Sequence, residues 1–98
     1  MEVGGFDWDE GNREKCQRHG MSVIEVESVF YNSPFLTINS RHDKDEERFQ
    51  AVGKTRDNRF AFIVFTYRQI KGQNFIRPIS ARYMHQKEIA NYEKQIKK

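Results

Sequence analysis

The chain has 98 residues, 37% of them hydrophobic and 32% charged, with a formal net charge of +3. That length suits one domain around one core, and 8 Phe, 4 Tyr and 1 Trp supply large packing groups that a disordered chain lacks. No apolar run reaches the roughly 20 residues of a membrane span, the acidic start "MEVGGFDWDE" lacks the basic and apolar regions of a secretory signal, and the lone Cys16 excludes an internal disulfide, so a cytoplasmic protein is expected.

The charge is unevenly spread. Residues 1–50 hold 6 Lys and Arg against 11 Asp and Glu, a balance of −5, whereas residues 51–98 hold 11 against 3, a balance of +8. At this length the two halves form different surfaces of one domain, residues 1–98. A basic face suits a polyanion such as RNA. A solvated Lys/Arg surface without a partner gives the same count.

Residues 1–5 read as a loose tail. Phe6 to Asp9 is a short extended segment, and Asp9 can cap a polar helix over residues 10–19, closed by Gly20. Ser22 and Glu25 have capping-box spacing for a second helix. Its apolar stripe is Val23, Val26 and Phe30, with Ile24 and Val29 nearby, and "NSP" (Asn32 to Pro34) stops it. Phe35 to Ile38 is a short strand, Asn39 to Glu47 a polar loop, and Arg48 to Lys54 a second strand. The third strand, Arg59 to Arg68, is apolar on both faces: Phe60, Phe62 and Val64 on one, Ala61, Ile63 and Phe65 on the other. That pattern predicts a central strand covered on both sides. Phe75 to Ala81 is a fourth strand, in which Pro78 demands an edge or a bulge. Met84 to Gln95 is a final helix. The fold class is α+β: two N-terminal helices, a four-stranded antiparallel sheet and a C-terminal helix.

Three kinds of chemistry are weak here. Cys16 and His19 have C-x-x-H spacing, but a structural zinc site needs a second pair, so no metal or other cofactor is expected. Basic neighbours Lys15, Arg18 and His19 could lower the Cys16 pKa, yet a half-buried structural thiol explains one cysteine better. No G-x-S-x-G element or phosphate-binding glycine loop is present. The histidines have structural readings: His19 at a helix C-terminus, His42 solvated in an acidic loop, His85 on the surface.

Polar groups on the sheet remain. Arg68 ends the central strand, Arg77 lies in the fourth, Arg82 and Tyr83 follow it, and Glu47 and Arg48 open the second. Arginines meeting on one face can fork onto phosphate oxygens, and Glu47 or a histidine can move a proton. Such a cluster cleaves RNA without metal: a base takes the 2′-hydroxyl proton and that oxygen attacks phosphorus. Arginines hold the added charge while an acid protonates the leaving oxygen. Strict alternation, however, puts Arg77 and Arg82 on opposite faces. Only a bulge near Pro78, or a strand ending before Arg82, reunites them.

Taken in order, "FDWDEGNREKCQRHG", "VF", "SRHDKDEERF", "VG", "FTYR" and "IRPISARYMHQKE…YE" resemble the BrnT family of bacterial toxins, from Phe6 to Glu93. The resemblance implies a RelE-like fold and a ribonuclease toxin of a type II toxin–antitoxin module. It further implies an inhibitor of translation, neutralised by a BrnA-like antitoxin whose DNA-binding domain supplies the only, indirect, contact with DNA. Lys15 and His19 match the family's K-x-x-x-H-G element. His42, Glu47 and Arg48 match H…E-R, and Arg68 matches the arginine after the "TY" strand end. Arg77, Ser80 and Arg82 match R-x-x-S-A-R, and Glu88, Tyr92 and Glu93 match the terminal helix. The implied catalytic set is Lys15, His19, Glu47, Arg68 and Arg82, with Arg48, Arg77, His42 and Tyr83 contacting RNA. Pro78 departs from the ordinary apolar residue of the pattern. The competing reading is a non-catalytic binding module acting only in complex with a DNA-binding partner.

Overall fold

The computed structural model describes residues 3–43 and 46–96, with backbone alone at 39–43, 46 and 96. Helix α1 spans Glu10–Gln17 and α2 spans Val23–Tyr31, followed by strands β1 (Phe35–Asp43), β2 (Glu46–Lys54), β3 (Phe60–Ile70) and β4 (Gln73–Tyr83) and helix α3 (Gln86–Ile96). The strands form one antiparallel meander in the order β1-β2-β3-β4. This is the α+β architecture that the sequence predicts.

Local chemistry sets the helix ends. The Asp9 side chain accepts from the Asn12 backbone while the Asn12 side chain accepts from the Asp9 backbone, and Ser22 and Glu25 make the same reciprocal pair. Gly20, at φ +92°, turns the chain between the helices. Lys71 and Gly72, both at positive φ, close a two-residue hairpin between β3 and β4.

The core lies between α1, α2 and one face of the sheet. Cys16, Val26, Val29, Ala51, Ala61 and Ile63 are fully buried there, with Met21 and Phe65 1% exposed. Phe65 meets Phe30 edge-on at 5.0 Å, and Phe49 and Tyr67 extend the aromatic cluster. Of the expected α2 stripe, Val26 and Val29 are buried, whereas Ile24 is 59% exposed.

Three expectations are corrected. Residues 3–5 are no loose tail: the Gly4 N–H donates to the Asn74 carbonyl, the Ile76 N–H to Gly5, and the Asp7 N–H to Ile76. Phe6 pairs in parallel with Ile76, so this segment guards the outer edge of β4. The stretch 39–47 is mostly strand, because β1 runs to Asp43 and β2 starts at Glu46 with a register shift between them. Ladder bonds are made by backbone and tolerate polar side chains. Finally, β3 is buried much more deeply on one side than on the other. Ala61, Ile63 and Phe65 are sealed, while Phe60, Phe62 and Val64 are half-buried. On this second face α1 packs along β4, and α3 stands over the other end, where Tyr92 meets Phe60 at 5.6 Å and Glu88 bonds Arg82.

Candidate nucleic-acid interface

The second face of the sheet is organised in rows. Phe35, Val52, Phe62 and Arg82 are cross-strand partners from β1 to β4, and Thr37, Gln50, Val64 and Ser80 form the next row. Below them Arg77 pairs with Thr66, and Arg48 shares this face with Gln50 by alternation. The register explains how Arg77 and Arg82 come together. Val64 pairs with Ser80 but Phe65 pairs with Pro78, so Ile79 is an extra residue on β4. The bulge restores both arginines to one face. Asn12 fixes it from α1 by donating to the carbonyls of Pro78 at 2.8 Å and Asp7 at 3.0 Å.

Two neighbouring cavities open on this face. The first, about 270 Å³, is lined by His19, Gln50, Phe62, Val64, Ser80, Ala81 and Arg82. The second, about 560 Å³, is lined by Arg48, Arg77 and Ile79 from the sheet, Asn12, Glu14, Lys15 and Arg18 from the α1 region, and Asp9 and Gly11. α1 walls the second cavity and the turn after it reaches the first, because α1 stands at the β4 edge and Lys15, Arg18 and His19 face the open side while Cys16 points into the core.

The arginines are held by carboxylates. Arg82 forks onto Glu88 with two bonds of 2.8 Å and lies over the Phe62 ring at 4.6 Å. The Arg82 guanidinium, with the His85 N–H beside it, holds the Glu88 carboxyl down at about 2. Arg77 bonds Asp9 at 2.6 Å and Asp7 at 3.1 Å. Asp9 is held below the usual carboxylate range by the Asn12 N–H first and by Arg77 second. Both guanidiniums are therefore aimed and charged before any ligand arrives.

Of the nominated residues, Lys15, His19, Arg48, Arg77 and Arg82 line these two cavities. Arg68 lies on the same face but beyond them, 56% exposed and 3.3 Å from Asp7. Glu47 is exposed and lines neither; its backbone carbonyl accepts from the Thr66 hydroxyl. Tyr83 pairs with the fully buried Ala61 on the helix-covered face, where its hydroxyl donates to Glu25 and Arg59 stacks on its ring at 3.4 Å. The His42 side chain lies outside the described residues. Burial pushes the Cys16 thiol up to about 11 against the opposing charge of Lys15, so the basic neighbours do not activate it. Among the described residues no group of three His, Cys, Asp or Glu side chains could hold a metal.

Sequence reading missed Gln50, Phe62, Arg18 and Asn12 as site residues. A lone glutamine or phenylalanine in an apolar strand carries no signal of its own. Glu88, named by the terminal-helix match, also has with His85 the N-cap-to-N3 spacing of a helix start just after Arg82.

The family model described as "Ribonuclease toxin, BrnT, of type II toxin-antitoxin system" matches residues 8–88. That span contains both cavities and Glu88. No curated protein matches the chain.

Proposed function

The chain belongs to the BrnT family of ribonuclease toxins of type II toxin–antitoxin systems, and we propose that it is a metal-independent endoribonuclease. In this reading it cleaves cellular RNA in the cytoplasm, inhibits translation, and is silenced by a BrnA-like antitoxin carrying a DNA-binding domain. The observation that supports the reading is the convergence of Arg48, Arg77, Arg82, Lys15 and His19 on two adjoining cavities.

The chemistry assigned to these groups follows from their types. Arg82 and Arg48 bind the scissile phosphate, and Arg77 binds its neighbour. His19 takes the 2′-hydroxyl proton, the freed oxygen attacks phosphorus, and the P–O5′ bond breaks to leave a 2′,3′-cyclic phosphate. Lys15 or a second protonated group supplies the proton that the departing 5′-oxygen takes. The arginines hold the charge that develops on the non-bridging oxygens. An incoming phosphate exchanges with Glu88 for the Arg82 fork, because both present paired oxygens to the same donors. Arg68 is assigned to the approach of the RNA backbone, and no step in cleavage is given to Glu47, His42 or Tyr83. No helix of the described residues is long and apolar enough to cross a membrane.

The test is RNA cleavage by the purified chain in EDTA, beside the Arg82→Ala protein. Cleavage is expected from the first and at least a 100-fold loss, roughly, from the second, the scale of one lost oxyanion donor. Equal cleavage by both removes Arg82 from the mechanism. A requirement for metal ends the metal-independent assignment. Silence from folded wild-type protein on free RNA and on ribosomes leaves the non-catalytic binding module.

A further inference from the structure

A third cavity adjoins the first and differs from it in character. It has a volume of about 290 Å³, and Gln50, Phe62 and Glu88 connect it to the arginine cluster. Its ring surfaces are Phe35, Phe62 and Tyr92, and its amides are Gln50, Asn91 and Gln95. Among the described residues lining it there is no lysine or arginine, and its one carboxylate, Glu88, bonds Arg82 until a phosphate takes its place. Such a lining offers no cation to a phosphate. It offers flat apolar contact and uncharged donors and acceptors, the combination that reads the edge and the face of a nucleobase.

We propose that this cavity between β1 and α3 is a base-binding subsite for the RNA whose phosphate sits at Arg82. The inference rests on the ribonuclease reading above and adds the location of the base. The row Phe35–Val52–Phe62–Arg82 crosses the sheet from the cavity to the phosphate-binding arginine. Adjacent strands lie about 4.8 Å apart, so a phosphate held at Arg82 brings its own or the next base within reach of this cavity. Phe35, at the far end of the row, is 57% exposed, an aromatic face open to stacking. Asn91 and Gln95 are exposed on α3, one turn apart, and both border the cavity. Amides there can pair with a base edge without the electrostatic pull that would bind any nucleotide alike.

Binding of fluorescent, uncleavable oligonucleotides tests this. The probes are a 2′-O-methyl pentanucleotide of mixed sequence and the same backbone with all bases removed. The wild-type chain is expected to bind the base-bearing probe about tenfold more tightly, within the range of one base–aromatic stack. Phe35→Ala, and separately the Asn91→Ala/Gln95→Ala pair, should bring the ratio close to one while affinity for the abasic backbone stays unchanged. Equal binding of both probes by the wild-type chain overturns the proposal, as does a variant that weakens both probes alike. If Phe35→Ala spares the ratio but weakens capture of the cognate antitoxin, the cavity is a protein-docking site and the proposal falls. Failure of the folded wild-type chain to bind either probe overturns the ribonuclease reading itself, an outcome distinct from intact backbone binding without base discrimination.

Discussion

The two faces of β3 carry similar residues and have opposite fates. Ala61, Ile63 and Phe65 lie under α1 and α2 and are almost completely excluded from solvent. Phe62 and Val64, one residue away, form the floor of an open cavity beside Arg82 and Ser80. An apolar side chain is thus a core residue on one face and a platform for a ligand on the other. The difference lies in what covers the sheet. α1 stands at the β4 edge, so its buried side contributes Cys16 to the core, while Lys15 on its other side and Arg18 and His19 just after it serve the open face.

The contrast can be broken first by stability. Ile63→Ala should cost about 2–5 kcal/mol, the range for a fully buried aliphatic, whereas Val64→Ala should cost about 1 kcal/mol or less. Urea unfolding of both variants measures this, and equal losses would mean that the second face is packed as tightly as the first. The thiol of Cys16 sharpens the same contrast. With its pKa pushed up to about 11 by burial, it should react with a disulfide reagent at pH 8 more than about 100-fold more slowly than a free cysteine. Rapid labelling of the folded chain would show that α1 leaves the edge readily.

Asn12 ties the two faces together, since its side chain accepts from the Asp9 N–H in the α1 capping box and donates to the bulge carbonyl of Pro78. Asn12→Ala should cost about 1–3 kcal/mol in urea unfolding, because it leaves a buried carbonyl without its donor. It should also slow RNA cleavage, through misplacement of Lys15 and His19. A loss of stability with full activity would disconnect α1 from the site.

The smallest effect concerns α3. The carboxyl of Glu88 is held down at about 2 from an ordinary 4.5. A depressed pKa stabilises the folded state above the unfolded pKa, and that contribution fades as pH falls from 4.5 toward 2. Wild type should therefore melt a few degrees above Glu88→Gln at pH 6, with the gap closing across that acid window. The pair is partly exposed, so the effect is modest. A gap that persists at pH 2 would assign Glu88 a role independent of its charge.

Much of the architecture was legible because it rests on local chemistry. The capping pairs at Asp9 and Ser22, the turn glycines at 20 and 72, and the alternation in 60–65 are short-range signals, and each element they predict is present. The polar run at 39–47 was misread because ladder hydrogen bonds leave no mark on side-chain composition. The ordered motifs also carried the family resemblance, and the family model bears it out over residues 8–88.

The site was legible only in part. Residue types named Arg48, Arg68, Arg77 and Arg82 as candidate phosphate binders, but pure alternation set Arg77 and Arg82 on opposite faces. Pro78 signalled that a bulge was possible without saying that it occurred. Ile79 as the extra residue, α1 at the edge of β4, and the facing of Tyr83 toward Glu25 depend on partners distant in the chain. By itself the sequence determined the elements, their caps and the charges available. The tertiary structure alone decided which face those charges occupy, because a side chain's direction follows from strand register, and register is set by pairing across the whole sheet.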